Sequence, residues 1–455
     1  MNPLPKKLFP MLKSLSYKSV IFLLTIINIY CQENKQRMET IFYQNDFNNP
    51  LSLSITPINI KLSEEKISIK DYTLSENQNN YLTQYLNPER NSRLNSVFPD
   101  SKLWEIKWRT EINSDEIPGY ILFDGERIIA QNESGWQLFD TSGKHIAEGI
   151  RAEGDILINK TENIFYINDP TGFIEAIDII TGKTKFYVHP YFGKGFNKSV
   201  IFSNGHKIIC ISNELPIITH DTPTEYPETM LLEIIELENS RETDEDKILN
   251  SAQQLENLFC KTSKFIYAIR DSTIILAVPN HIYFIDSKLN VIKDLNENFI
   301  PLEMSIDEDM RIYLLAEIIE DNESIKTALW IIDSEGNLIS DVEINPIQND
   351  FLAPPVIDFE HNVYIGYEDK ITAIEPYGSV LWEQNIQKPL AGFNSVKNYL
   401  LTSEGNVLSA FDKKGERKFI YKFEDEELTT APILTSSNEI LVTTQNFLYC
   451  LKIKD

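Results

Sequence analysis

Five acidic residues, each followed by a glycine three or four positions later, are the residues of this sequence best placed to do chemistry. Carboxylates can act as general bases or as oxygen ligands of Ca²⁺. The pairs are Asp140 with Gly143, Asp178 with Gly182, Asp333 with Gly336, Glu375 with Gly378, and Asp412 with Gly415; in a sixth copy Asp286 has Asn290 in the glycine's place. A local role explains them better, because such a carboxylate accepts backbone N–H groups of a turn while glycine supplies a positive φ. We therefore predict structural turns rather than catalytic or metal-binding residues.

The cysteines and histidines show no metal-binding pattern. The four cysteines, Cys31, Cys210, Cys260 and Cys450, include no CxxC pair, and no two of the six histidines stand four residues apart. Cys210 and Cys450 lie in apolar, strand-like runs, which predicts buried and inert thiols. The sequence thus predicts no catalytic residue, no cofactor and no metal site.

The elements that position the turn acids are β-hairpins that recur through residues 101–455. In each copy two apolar strands are followed by the turn and by one further apolar strand, and the copies return about every 40 residues, as in propeller blades. We predict an all-β propeller with eight four-stranded blades. Seven blades are the alternative, because the third copy is degenerate.

The two ends of the repeat region complement each other. The last hairpin, Ile440 to Ile453, is followed by no further strand, whereas an isolated strand-like segment, Trp104 to Ile112, precedes the first hairpin. Sharing one blade would remove two exposed sheet edges. We therefore predict that these segments close the ring together.

Three copies carry a family resemblance: "GFIEAIDIITGKTKFYV", "KITAIEPYGSVLWEQ" and "NVLSAFDKKGERKFIY". They resemble the pyrroloquinoline-quinone-type (PQQ-like) propeller repeat, with Trp382 as the one retained consensus tryptophan. The resemblance implies the quinoprotein alcohol dehydrogenase-like superfamily and, by architecture, BamB-type outer-membrane assembly lipoproteins, which are non-enzymatic scaffolds. Enzymes of the superfamily add an adjacent Cys-Cys pair over their cofactor, and this chain has none.

The first 31 residues resemble a secretory signal. A basic region precedes an apolar run from Val20 to Tyr30, which is too short for a spanning helix of about 20 residues. Because the run ends at Cys31, it is similar to a bacterial lipoprotein signal, although Tyr30 occupies the place of the expected small residue. Export without a lipid and an accidental apolar run in a cytoplasmic protein are the alternatives. Residues 32–100 are polar and predict a largely irregular tether.

Two interruptions of the repeat are candidate interaction segments, since loops on a rigid scaffold often carry function. Loop 212–229 offers His220, Asp221 and Tyr226, with a tolerated insertion as the alternative. In the other segment, near 244–260, apolar residues at helical spacing predict a short amphipathic helix.

A net charge of -26 argues against nucleic acid and anionic membrane surfaces as partners of the folded part. We predict a non-enzymatic, monomeric propeller of the bacterial envelope, in the periplasm or at the outer membrane, that binds protein partners. It would touch a membrane only through its N-terminal segment. A quinoprotein-like or other propeller enzyme, or a ligand sensor that uses the axial face, is the alternative.

Overall fold

The computed structural model describes most of the repeat region and short pieces before it. The described residues are 56–57, 81–82, 92–99, 103–112, 119–131, 135–150, 156–168, 174–188, 197–203, 207–214, 229–236, 253–260, 265–270, 273–286, 289–319, 325–344, 354–366, 370–386, 390–424 and 426–454. The chain divides into units 1–56 and 57–455, and the sheets described below lie in the second unit.

The strands follow a regular order along the chain. Three come first: β1 (Thr56–Pro57), β2 (Tyr81–Leu82) and β3 (Trp104–Glu111). The next three groups of four are β4 (Tyr120–Phe123), β5 (Arg127–Gln131), β6 (Gly135–Asp140) and β7 (His145–Ile150); β8 (Leu157–Asn159), β9 (Ile164–Asn168), β10 (Ile174–Asp178) and β11 (Thr184–Val188); and β12 (Asn197–Ser203), β13 (Lys207–Glu214), β14 (Thr229–Glu236) and β15 (Gln253–Cys260).

The remaining strands repeat the pattern. They are β16 (Ile266–Arg270), β17 (Thr273–Val278), β18 (His281–Ile285) and β19 (Val291–Asn296); β20 (Phe299–Ile306), β21 (Ile312–Ile319), β22 (Ile325–Ile332) and β23 (Leu338–Ile344); β24 (Val356–Ile357), β25 (Val363–Gly366), β26 (Lys370–Ile374) and β27 (Val380–Asn385); β28 (Leu390–Ser395), β29 (Leu400–Glu404), β30 (Val407–Phe411) and β31 (Arg417–Lys422); and β32 (Ile433–Leu434), β33 (Ile440–Thr443) and β34 (Phe447–Ile453).

Each of the seven groups of four strands from β4 to β31 forms one antiparallel sheet, and β2 pairs with β8 at the edge of the second of them. The last sheet has the order β3-β34-β33-β32, with Trp104 opposite Ile453 and Glu111 opposite Phe447. The predicted sharing of one sheet by segments from the two ends of the repeat region is therefore confirmed.

Burial falls from the middle strands of a sheet to its last strand. All five residues of β9 are buried, whereas Trp382 is the one buried residue of the six in β27. Ile, Val and Leu fill the buried strands because branched side chains suit a pleated surface packed on both faces. In the sheets whose side chains are described, the outer edge is therefore formed by β3 in the closing sheet and by the fourth strand in the others.

The described residues form seven hydrophobic clusters, and each bridges two neighbouring sheets. One of them joins the closing sheet back to the β4–β7 sheet through Leu448 and Ile128. The core is therefore a set of interfaces between radially packed sheets, and the all-β propeller is confirmed.

Among the described residues, strand pairing defines eight sheets. Seven of them are the blades that the structure establishes, which is the number that the alternative prediction stated. The main prediction of eight blades is therefore not confirmed.

Two predictions of local structure differ from what the structure has. Residues 253–260 form strand β15, with Cys260 opposite Met230 of β14, so the helix predicted near 244–260 is wrong for that part; residues 244–252 lie outside the described residues. The hydrogen bonds offered by the edge of β14 outweigh a helical spacing of apolar residues.

The segment before β3 also departs from the expected tether. Phe98 is buried, and its ring stacks on Trp104 with a centroid separation of 5.6 Å. Leu94 donates its backbone N–H to the carbonyl of Ser395 at 2.7 Å. Residues 92–99 are thus part of the propeller, because an apolar side chain within this polar stretch finds a site between two sheets.

Candidate functional site

The predicted turn acids occupy the turns between the third and fourth strands of their sheets. Asp140 Oδ1 accepts the backbone N–H groups of Ser142 at 2.8 Å and Lys144 at 3.0 Å, while Gly143, at φ 82°, donates its N–H to the Asp140 carbonyl at 3.0 Å. A hydrogen bond from the Ser142 hydroxyl lowers the pKa of Asp140. One oxygen of this carboxylate, Oδ1, is therefore engaged by hydrogen bonds within the turn.

The other copies share this geometry. Gly182, Gly336, Gly378 and Gly415 have positive φ, and each donates its N–H to the carbonyl of its turn acid, which is Asp178, Asp333, Glu375 and Asp412 respectively. The Asp286 turn differs from the expectation: Leu289, at φ 60°, holds the position of the glycine, and Asn290 donates to the Asp286 carboxylate from its backbone and its side chain.

These glycines also lie where one sheet packs on the next. A Cβ on Gly143 would come within 2.6 Å of the Trp108 ring, and one on Gly415 within 2.9 Å of the Trp382 ring. Each tryptophan donates its Nε1–H at 3.1 Å to a carbonyl of the turn that it covers. Trp108 therefore does in the closing sheet what the consensus Trp382 does two sheets earlier, a match that the repeat pattern did not reveal.

The two cysteines predicted as inert match that expectation. Cys210 and Cys450 are buried, and neither forms a disulfide. Burial raises the pKa of the Cys450 thiol to about 12, which keeps it protonated and unreactive. The remaining candidates, Cys31, His220, Asp221 and Tyr226, lie outside the described residues and stay predictions.

A second group of acids lies in the turns between the first and second strands. Asp307 directly follows β20, and its Oδ1 accepts the N–H groups of Asp309 at 2.9 Å and Arg311 at 3.0 Å. Its Oδ2 accepts the hydroxyl of buried Tyr313 at 2.8 Å. Burial and the neighbouring Asp307 charge raise the pKa of Tyr313, so the phenol remains a neutral donor.

The next sheet repeats this turn. Asp358 accepts N–H groups from Glu360 at 2.7 Å and Asn362 at 2.9 Å, and its Oδ2 accepts the Tyr364 hydroxyl at 2.9 Å. His361 takes the positive φ, 64°, in this copy. The sequence carries the signal as "DEDMRIY" and "DFEHNVY", two matching heptads in consecutive repeats that our sequence reasoning did not use.

Packing of these two sheets brings the turns together. His361 Nδ1 lies 2.9 Å from Asp307 Oδ2, and His361 Nε2 lies 3.7 Å from Asp309 Oδ2. One ligand atom from each of these three residues lies within 4.8 Å of the others. Arg311 Nη2 stands 3.5 Å from Asp309 Oδ2. We call Asp307, Asp309 and His361 the turn cluster; no spacing in the sequence joins them, because the histidine is contributed by another sheet.

A third feature is an outer apolar belt on the last strands of five consecutive sheets. Its members are exposed and lie in the turn before the strand or among its first three residues, at one end of the propeller. They are Ile292, Leu338, Ile339, Tyr377, Val380, Leu381, Phe419, Leu103 and Ile106. Outside these five sheets β7 begins with exposed His145, whereas exposed Ile180, in the turn before β11, occupies a comparable position. A contiguous exposed apolar patch is typical of a surface that binds a partner, and the shared position of these residues on neighbouring outer strands makes them candidates for one.

No family model and no curated protein sequence matches this chain. Solved structures do match. BamB from Moraxella catarrhalis has a TM-score of 0.52 and 13% identity, covering 77% of this chain and 98% of that one. Quinohemoprotein alcohol dehydrogenase from Comamonas testosteroni has a TM-score of 0.54 and 10% identity, covering 82% and 81%. The fold is a PQQ-like β-propeller.

A designed protein shares the propeller architecture as well. The computationally designed Ika8 protein has a TM-score of 0.50 and 11% identity, covering 75% of this chain and 97% of that one. At these identities the likeness shows the fold alone, and both a scaffold and an enzyme are compatible with it. Within the described residues, helices of the length and apolarity needed to cross a membrane are absent.

Proposed function

We propose that this propeller is a protein-interaction scaffold and that the outer apolar belt is its contact surface. The belt carries the proposal: Tyr377 is 78% exposed, Leu103 75% and Phe419 72%. Fully burying one such side chain is favourable by roughly 1.5–3 kcal/mol relative to leaving it exposed to water. A partner that covers the belt would recover part of this free energy.

The binding role is favoured over catalysis by the state of the acids. The carboxylates that the repeat provides at regular intervals accept hydrogen bonds within their own turns, as Asp140 and Asp412 do. We propose that the protein is not an enzyme. BamB supports this direction through the fold, and the quinohemoprotein alcohol dehydrogenase keeps a redox reaction as the alternative.

The finer assignment to the bacterial envelope is part of the proposal. It rests on the resemblance of the N-terminal run ending at Cys31 to a lipoprotein signal, and on the BamB-like fold. Palmitate labelling that disappears in Cys31→Ala would support a lipid anchor, and the absence of any labelling would exclude one.

A crosslinking experiment tests the scaffold. A photoreactive phenylalanine analogue placed at Phe419 or Tyr377 should crosslink to specific proteins in the cells of origin. Ile150 is the matched control, because it is also an exposed apolar residue of an outer strand but lies outside the belt. Equal crosslinking from Ile150 and Phe419 would contradict the assignment of the belt.

A further inference from the structure

We propose that the turn cluster binds a divalent transition-metal ion such as Zn²⁺, with Asp309 and His361 as ligands and Asp307 as the residue that orients the imidazole. This inference is independent of the scaffold proposal. The donor set combines an imidazole with a carboxylate, contributed by two different sheets, and is therefore more than a group of surface acids.

The tautomer of His361 follows from its contact with Asp307. The Asp307 side chain is fully buried and already accepts a hydroxyl hydrogen bond, so it can act only as an acceptor toward Nδ1 at 2.9 Å. In the neutral imidazole Nδ1 then carries the proton, and Nε2 presents its lone pair. Metal-binding histidines commonly donate their second N–H to a carboxylate in this way.

The distance between the two ligand atoms suits one ion. His361 Nε2 and Asp309 Oδ2 are 3.7 Å apart. Two ligands each about 2.1 Å from Zn²⁺ can be separated by up to about 4.2 Å. Asp309 is exposed and His361 partly so, which leaves the other coordination positions to water. A mixed nitrogen and oxygen set favours Zn²⁺, Ni²⁺ or Cu²⁺ over Ca²⁺ and Mg²⁺, which take oxygen ligands.

Arg311 competes with the ion. Its Nη2 lies 3.5 Å from Asp309 Oδ2 and supplies the positive charge that a metal would replace. Removing this charge should tighten binding through a local effect. Lys326→Gln removes a positive charge that lies 3.0 Å from Asp341, on the outer strand of the same sheet. It should leave the affinity for zinc unchanged. This comparison separates a built site from diffuse attraction to an acidic protein.

Isothermal titration of the full chain with ZnCl₂, and separately with CaCl₂, is the test. We expect one zinc site that is lost in His361→Ala and in His361→Asn, the second variant being included because Asn tolerates a positive φ. The matched control is His281→Ala, since His281 Nδ1 also lies 2.9 Å from a carboxylate, that of Asp294. Asp307→Asn should weaken zinc binding about tenfold.

Two comparisons between variants test the proposed zinc site. Loss of zinc binding in the His361 variants but not in His281→Ala, with tighter binding in Arg311→Gln but not in Lys326→Gln, supports it. Zinc binding that survives in both His361 variants overturns it. It is equally overturned by calcium binding of the same strength at the same site, or by no zinc binding in the parent chain.

Discussion

Replacing Gly415 by alanine tests how one sheet packs on the next. The residue has a φ of 79°, which costs a non-glycine residue about 1–2 kcal/mol. The new Cβ would also meet Cγ and Cδ2 of Trp382 at 2.9 Å. That ring is buried and held by its bond to the Lys413 carbonyl, so making room should cost about a further 1–3 kcal/mol. We expect Gly415→Ala to lower the free energy of unfolding by about 2–5 kcal/mol.

Gly125→Ala is the matched control. Gly125 also has a positive φ, 109°, but a Cβ there would meet nothing within 4 Å. The control should therefore show only a backbone cost, which is about 1–3 kcal/mol for a φ outside the left-handed helical region. Urea unfolding followed by tryptophan fluorescence and by far-UV circular dichroism measures both variants.

The difference between the two variants measures the packing of the turn against Trp382. In a Trp382→Leu background the smaller side chain leaves space, so Gly415→Ala should lose most of its extra cost. Equal destabilisation by Gly415→Ala and Gly125→Ala would refute the reasoning, and so would an unchanged cost in the Trp382→Leu background.

Three further predictions concern buried or paired polar groups. Tyr313→Phe and Tyr364→Phe should each lower the free energy of unfolding by about 1.5–3 kcal/mol, because each removes a hydroxyl bond to a carboxylate; denaturant unfolding that matches the parent would contradict this. In a variant whose only cysteine is Cys450, the thiol should react with a disulfide reagent only as fast as the protein unfolds, since its pKa is raised to about 12; rapid reaction in the folded state would disprove its burial. Glu308 is partly buried, which favours its neutral form, yet the Arg93 pair at 2.6 Å lowers its pKa. The stabilisation is thus complete above the ordinary carboxyl pKa of 4.5 and lost as pH falls through the lower pKa of the folded state. Glu308→Gln should therefore flatten the acid side of the stability curve, and an unchanged curve would argue against the pair.

The repeat was predictable because its signals are local. An acid, a turn and a glycine such as Asp412 and Gly415 lie within a few residues, and the hydrogen bonds that they make are the ones their spacing implies. The closing sheet followed from edge pairing alone. The helix predicted near 244–260 failed at β15 because an open strand edge decided the backbone there, and that edge is a tertiary feature.

The turn cluster could not be predicted in this way. Asp307 and His361 are 54 residues apart, and each looks like one more turn residue until two sheets pack side by side. The sequence did not predict the outer apolar belt for a related reason. Phe419 and Leu338 cannot be distinguished in the sequence from ordinary strand residues.

The sequence by itself determined the unit of structure: four strands, a turn acid and a glycine, repeated until the chain closes on itself. These choices depend on interactions between residues near one another in the chain. Only the tertiary structure decided which side chains of different units meet, as Trp108 meets the turn at Gly143 and His361 meets Asp307. The physical reason is that contacts between sheets depend on how the ring packs, and no spacing within a single repeat records that.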